Sequence, residues 1–362
     1  MNKKIAILGS VGIPASYGGF ETLVENLARY HQQNELPGKI IVYCSSNNYP
    51  DKAESHLGAT LRYVALNANG VSSIAYDVVS MLSALYYGSD VILLLGVSGA
   101  IALPLIRLVS RSHIITNIDG IEWKRQKWNR AAKAFLHFSE WLAVRYSHVV
   151  VADNAAIAEY VAGSYGVDCE VIAYGGDQAL LTPPRPYQGD TLPARYAFAL
   201  CRIEPENNID IILEAFALKP DLPLVFLGNW RNSIYGRELK ALYSGLSHIH
   251  LLDPIYDASV LHYLRKNADI YIHGHSAGGT NPSLVEMMHF GLPVFAFDCI
   301  FNRCTTDGKA IFFKDASALR VAIDGLEANV AAQVGSDMCR IARERYTWSA
   351  VGREYFRLLL DE

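Results

Sequence analysis

The spacing of apolar residues switches repeatedly along this chain, and that switching constrains its fold most. Lys4-Ile5-Ala6-Ile7-Leu8 is a short apolar run stopping at Gly9, the pattern of a strand buried on both faces of a parallel sheet. Residues 21–31 then place Leu23, Val24, Leu27, Ala28 and Tyr30 largely on one helical face. Further strands are expected at 39–44, 91–95, 113–117, 148–152 and 170–173, with helices at 73–87, 127–146 and 154–165. Strands and helices alternating at this spacing build a doubly wound parallel sheet.

Pro183, Pro184, Pro186, Gly189 and Pro193 break the pattern and mark 178–195 as a linker. The alternation then restarts. Strands are expected at 196–200, 222–227, 250–252, 270–273 and 293–297, and helices at 209–217, 236–243, 258–267 and 283–289. Closing helices are expected near 316–328, 335–344 and 349–360. Two α/β sheets in tandem, in a chain of 362 residues, suggest ligands held in a crevice between them. A chain 51% hydrophobic is too apolar for the disordered class. A net charge of -4 supplies no general field for nucleic acid. The six cysteines form no C-x-x-C pair, and the opening MNKKIAILGS has too short an apolar run for a secretory signal. A cytoplasmic chain with reduced thiols is expected. Residues 91–106 are uncharged, but Gly96, Gly99 and Pro104 favour a strand, a turn and a short buried helix over a membrane span.

Four segments could carry chemistry. Gly9 to Glu21 is a glycine-rich strand-to-helix loop. Its amides could receive an anion or a sugar oxygen, or its glycines could simply make the turn. Asp119, after the strand at 113–117, could be a site residue or a helix cap. Downstream of it, Trp123, Lys124, Arg125, Lys127, Trp128, Arg130 and Lys133 form a basic-aromatic segment, suited to anionic lipid or diphosphate, or to a solvated helix face. Arg202, at the mouth of the first strand of the second half, could fork onto a diphosphate or pair with Glu204 or Glu206.

The fourth segment runs from His273 to Glu286. A strand ends, Gly278-Gly279 turns, and Pro282 or Ser283 opens a helix. Amides from Gly279 through Thr280 and Asn281 to Ser283, with the helix dipole, would seat a phosphate. Glu286, one turn into the helix, could reach a ribose hydroxyl. His273 and His275 alternate like metal ligands, but no third ligand is in view. The chain has no D-x-D for a nucleotide's Mg²⁺, so no metal site is expected.

Taken together these motifs resemble the retaining GT-B glycosyltransferases of family four. The resemblance runs essentially the whole chain. Its nearest look is to a bacterial polysaccharide rhamnosyltransferase branch, through Tyr17-Gly18-Gly19-Phe20-Glu21-Thr22, Asp119-Gly120-Ile121-Glu122-Trp123-Lys124-Arg125 and Gly278-Gly279-Thr280-Asn281-Pro282-Ser283-Leu284. It implies a GT-B fold of two Rossmann-like domains, at 1–177 for the acceptor and 196–345 for the nucleotide sugar. Residues 346–362 would return to the first domain. It implies that Arg202 holds the donor diphosphate, that Glu286 binds the ribose, and that Gly18 and Gly19 approach the donor sugar and phosphates. Asp119 is the second choice as proton acceptor or sugar-orienting group. Two positions depart from the wider family. Gly278 stands where a glutamate is usual, and Asn207 stands where a diphosphate-binding lysine is usual.

The implied activity is metal-independent, retaining transfer of a sugar, rhamnose foremost, in O-antigen or capsule synthesis. The donor would be dTDP- or UDP-linked, with no other cofactor. The acceptor would be an undecaprenyl-diphosphate-linked saccharide at the anionic inner membrane, with the protein peripheral on its cytoplasmic face. A transferase using UDP-HexNAc or UDP-hexose, a GT-B-like sugar-nucleotide epimerase and a non-catalytic membrane module are the alternatives.

Overall fold

A computed structural model describes residues 3–15, 18–125, 128–189 and 191–360. The chain divides into two compact units, residues 1–174 with 348–362, and residues 175–347.

The strands of the first unit are β1 (Lys4–Leu8), β2 (Lys39–Ser45), β3 (Ser55–His56), β4 (Ala59–Val64), β5 (Val91–Leu95), β6 (His113–Asn117), β7 (Val149–Ala152) and β8 (Glu170–Val171). They form one sheet in the order β3-β4-β2-β1-β5-β6-β7-β8. Every pairing is parallel except the β3–β4 hairpin. Ile5 to Leu8 are wholly buried, which is why the central strand tolerates no polar residue. The helices are α1 (Gly19–Gln33), α2 (Ser72–Tyr86), α3 (Leu103–Val109), α4 (Arg130–Tyr146) and α5 (Ala155–Tyr165). From β4 through β8 each crossover advances in one direction, whereas β1 to β2 goes the other way. Right-handed crossovers therefore place α2 to α5 on one face and α1 on the other. The last helix of the chain, Trp348–Leu360, packs on α1, where Phe356 stacks on Tyr30 at 5.8 Å between ring centres.

The second unit has its own sheet of β9 (Ala197–Leu200), β10 (Leu224–Leu227), β11 (Ile249–Leu252), β12 (Ile270–His273), β13 (Val294–Phe297) and β14 (Ile311–Phe313). The order is β11-β10-β9-β12-β13-β14, parallel throughout. Its helices are α6 (Ile209–Ala217), α7 (Ile234–Tyr243), α8 (Ala258–Lys266), α9 (Pro282–Met288), α10 (Ile300–Thr305), α11 (Ala316–Asp324) and α12 (Ala328–Arg345); the closing helix of the chain, in the first unit, is α13. Phe216, Phe226 and Trp230 fill the core, and the Trp230 indole donates to the Leu252 carbonyl at 3.0 Å.

The fold class is as expected, and several boundaries differ. The units divide at Gly175 and Trp348, and residues 178–180 of the expected linker belong to a 3₁₀ turn, Asp177–Leu180, inside the second unit. The helix expected from Lys127 starts at Arg130, where Asn129 accepts from the Ala132 amide at 2.9 Å; Lys127 lies outside the described residues. The segment at 91–106 is β5, a 3₁₀ turn at Ser98–Ala102 and the start of α3. Among the described residues no helix is long and apolar enough to cross a membrane.

Candidate active site

In each sheet the strand order reverses once, between β1 and β5 and between β9 and β12. Such reversal points open a crevice at the carboxyl ends of the strands, where α/β sheets bind ligands. The two motifs read from the second half, around Arg202 and from His273 to Glu286, follow β9 and β12 and so flank one reversal point.

Their loops are knitted together. The Asn207 amide group donates to the Arg202 carbonyl at 2.7 Å, and its oxygen lies 2.6 Å from Nδ1 of His275. Asn208 donates to the Gly274 carbonyl at 2.7 Å, and the Ser276 amide and hydroxyl both donate to the Glu206 carbonyl. Gly274 has to be glycine, because a Cβ there would stand 2.1 Å from the Asn207 carbonyl oxygen. Arg202 itself is exposed at the mouth of β9. Asn207 is 4% exposed and its side chain serves as a tie between the loops, which gives it a local role where the wider family would place a lysine. Gly278 adopts φ 92°, a left-handed conformation that a glutamate would occupy only under strain.

The phosphate seat expected at α9 is partly closed by the chain itself. Asn281 caps the helix, its Oδ1 accepting from the Ser283 amide at 3.0 Å and the Ser283 hydroxyl at 2.7 Å. The Leu284 and Val285 amides bond to the Asn281 carbonyl. Gly279 is half-buried and Thr280 buried. Glu286 is more engaged than the sequence suggests. One carboxylate oxygen pairs with the buried Arg265, and the other accepts from Gln178 at 2.7 Å. Neither partner was legible, since Arg265 sits in a Leu-Arg-Lys helix end that reads as solvated. His273 is buried; burial, then His275, holds its imidazole well below the ordinary value, and its Nε2 has no hydrogen-bond partner. Among the described residues no three His, Cys, Asp or Glu gather as a metal site.

In the first unit, the loop after β1 is held by α1. Glu21 accepts from the Val11 amide at 2.7 Å and Glu25 from the Ala15 amide at 2.5 Å. Two amides expected to face a ligand are thus spent on carboxylates. Gly18, at φ 131°, caps α1, and Gly19 is its first residue; Tyr17 lies outside the described residues. Asp119 is half-buried at φ 60° and donates its amide to Oδ1 of Asn117 at 2.8 Å. Asn117 in turn donates to the Tyr355 hydroxyl at 2.7 Å, so α13 fixes the turn that aims Asp119. Asp119 does not cap the following 3₁₀ turn, which starts after Ile121. Burial first, then the Asp119 and Asp153 carboxylates, holds the neighbouring Tyr174 phenol well above its ordinary value.

The aromatic residues of the basic-aromatic segment turn inward, while Lys124 and Arg130 are exposed. Trp123 packs at a tilt against His137, 4.5 Å between ring centres, and its indole donates to Glu140 and Tyr160. Trp128 donates to Glu122 at 2.9 Å, and Arg125 pairs with Glu122 at 3.2 Å. Lys124 lies over the Tyr160 ring, 4.8 Å from its centre. The tryptophans expected at a lipid surface are therefore tied into the unit.

Residues 192–327 match the family described as glycosyl transferases group 1, and residues 2–177 match a domain of unknown function, DUF1972. No curated protein matches the chain. Similar solved structures include sucrose-phosphate synthase from Thermosynechococcus elongatus, 16% identical, covering 99% of this chain and 98% of that one, with a TM-score of 0.81. The catalytic domain of starch synthase IV from Arabidopsis thaliana, solved with ADP and acarbose, is 12% identical with 99% of each chain covered and a TM-score of 0.72. HepE of Anabaena, solved with UDP and glucose, is 15% identical, covering 99% of this chain and 100% of that one, with a TM-score of 0.69. The fold is GT-B.

Proposed function

We propose that the chain, a GT-B protein whose residues 192–327 match the glycosyl transferases group 1 family, is a glycosyltransferase drawing on a nucleotide-sugar donor. From that premise we propose that it moves a sugar, rhamnose foremost, from a dTDP- or UDP-linked donor to a saccharide on undecaprenyl diphosphate, with retention of configuration. The proposed setting is polysaccharide assembly, O-antigen or capsule, at the cytoplasmic face of the inner membrane. The observation that carries the donor assignment is the position of Arg202 and the 273–286 loop beside the β9–β12 reversal point.

In this reading Arg202 supplies the cation that meets charge growing on the departing diphosphate. No protein nucleophile is needed. The acceptor hydroxyl attacks from the face that the nucleotide leaves, and the departing phosphate oxygen takes its proton. Asp119, its turn fixed through Asn117 and Tyr355, orients a sugar hydroxyl or accepts that proton. Glu286 contacts the ribose, with Arg265 and Gln178 holding its carboxylate in place.

Release of nucleoside diphosphate, with and without acceptor, tests the reading. Turnover that rises with acceptor and persists in EDTA supports a metal-independent transferase. Conversion of the nucleotide sugar to an epimer without acceptor supports the epimerase instead. Abolition by EDTA, restored by Mg²⁺, contradicts the role given to Arg202.

A further inference from the structure

Three neighbouring helical segments on one face of the first sheet turn apolar stripes outward. On α2, Val79, Leu82 and Tyr86 are exposed at helical spacing. Ile101, Leu105 and Leu108 continue the pattern along the 3₁₀ turn and α3, with Leu108 84% exposed. On α4, Phe138 and Trp141 are exposed and stack at 5.8 Å. The 3₁₀ turn touches both α2 and α4, and α3 touches α4, so the elements that carry the stripes are neighbours. Soluble monomers rarely leave so much contiguous apolar surface without a partner.

The charges on these segments are of one sign wherever they reach water. Their only acids are Asp77 and Glu140, and both are buried. Their bases are Arg107, Arg130, Lys133 and Arg145, of which all but the half-buried Lys133 are exposed. The protein as a whole carries a net charge of -4, so this face is set apart.

We infer that the α2–α3–α4 face docks on an anionic lipid bilayer. Apolar side chains enter the headgroup boundary while the surrounding cations meet lipid phosphates, the two terms that together set interfacial binding. A second copy suits the face poorly. A two-fold contact sets a patch against itself, and here that would oppose cation to cation. The inference deepens the lipid-linked-acceptor reading, on which its biological setting rests. It names a surface apart from the inward-turned Trp123 and Trp128.

The test uses the full chain and two vesicle types, phosphatidylglycerol with phosphatidylethanolamine, and phosphatidylcholine alone, with bound protein measured by sedimentation. Binding at least tenfold stronger to the anionic vesicles, and weakened by salt, is expected. Leu105→Ser with Leu108→Ser should lower it tenfold or more, as should Arg130→Gln with Arg145→Gln, since each cation near such a surface is worth roughly fivefold. Melting temperatures should hold, because all four side chains are exposed. Unchanged vesicle binding in both variants, or no binding by the folded wild type, overturns the inference. So does a dimer in light scattering that Leu105→Ser with Leu108→Ser dissolves. Donor turnover without vesicles is read on the same proteins. Normal turnover beside absent vesicle binding refutes the docking face alone, and absent turnover beside normal vesicle binding refutes the transferase reading alone.

Discussion

Arg265 and Glu286 form an ion pair between the end of α8 and the first turns of α9, with Arg265 only 5% exposed. The carboxylate given to the donor ribose is therefore also a structural partner. Glu286→Gln should lower stability by about 1–3 kcal/mol, the cost of leaving a buried donor poorly met. It should also raise the donor KM more than it lowers kcat, since a ribose contact is made in ground and transition states alike. Arg265→Met with Glu286→Gln should recover part of the lost stability but none of the affinity. Thermal melts and donor kinetics on the single and double variants check this. Recovery of KM with stability would reduce Glu286 to a structural role.

Asn207→Lys restores the residue usual in the wider family, yet here it should destabilise. The change removes the bonds to the Arg202 carbonyl and to His275 and puts a cation where the native side chain is buried. A loss of about 2–4 kcal/mol is expected, read by denaturant unfolding. Unchanged stability would mean that the two loops do not depend on this tie.

Burial pushes the Asp77 carboxyl up to about 7, against hydrogen bonds from the Ser98 hydroxyl and the Gly99 amide that lower it. The unfolded value is near 3.9, so between these values the folded state holds a proton that the unfolded state releases. Stability from this group is full below the unfolded value and falls as pH rises through about 7, by up to about 4 kcal/mol. Relative to wild type, Asp77→Asn should therefore gain stability as pH rises from 4 to 8. Melting temperatures for the two proteins across that range decide it. Parallel curves would show that Asp77 ionises normally in the fold.

The buried parallel strands were legible because Ile5 to Leu8 or Val91 to Leu95 leave no face for water. β4 was missed although Ala59 and Leu61 alternate with Thr60 and Arg62, because those polar residues break the continuous apolar run that marks the other strands. β14, three residues at a sheet edge, carries too little pattern to find. The motif loops could be placed after their strands, since a strand's carboxyl end is a local feature. Their cross-links could not: Asn207 meets His275, and Arg265 meets Glu286, only after β9 and β12 lie side by side. The inward turn of Trp123 was hidden likewise, because Glu140 and Tyr160 come from helices later in the chain.

The most direct test of the account is the steady-state kcat of Arg202→Ala with a nucleotide-sugar donor and lipid-linked acceptor, measured beside its melting temperature. The side chain is exposed at the mouth of β9 rather than packed in the core, so Ala should leave the fold intact. The account predicts an unchanged melting temperature with kcat down by about 10²- to 10³-fold. A near-normal kcat, or a loss of activity matched by unfolding, would contradict it.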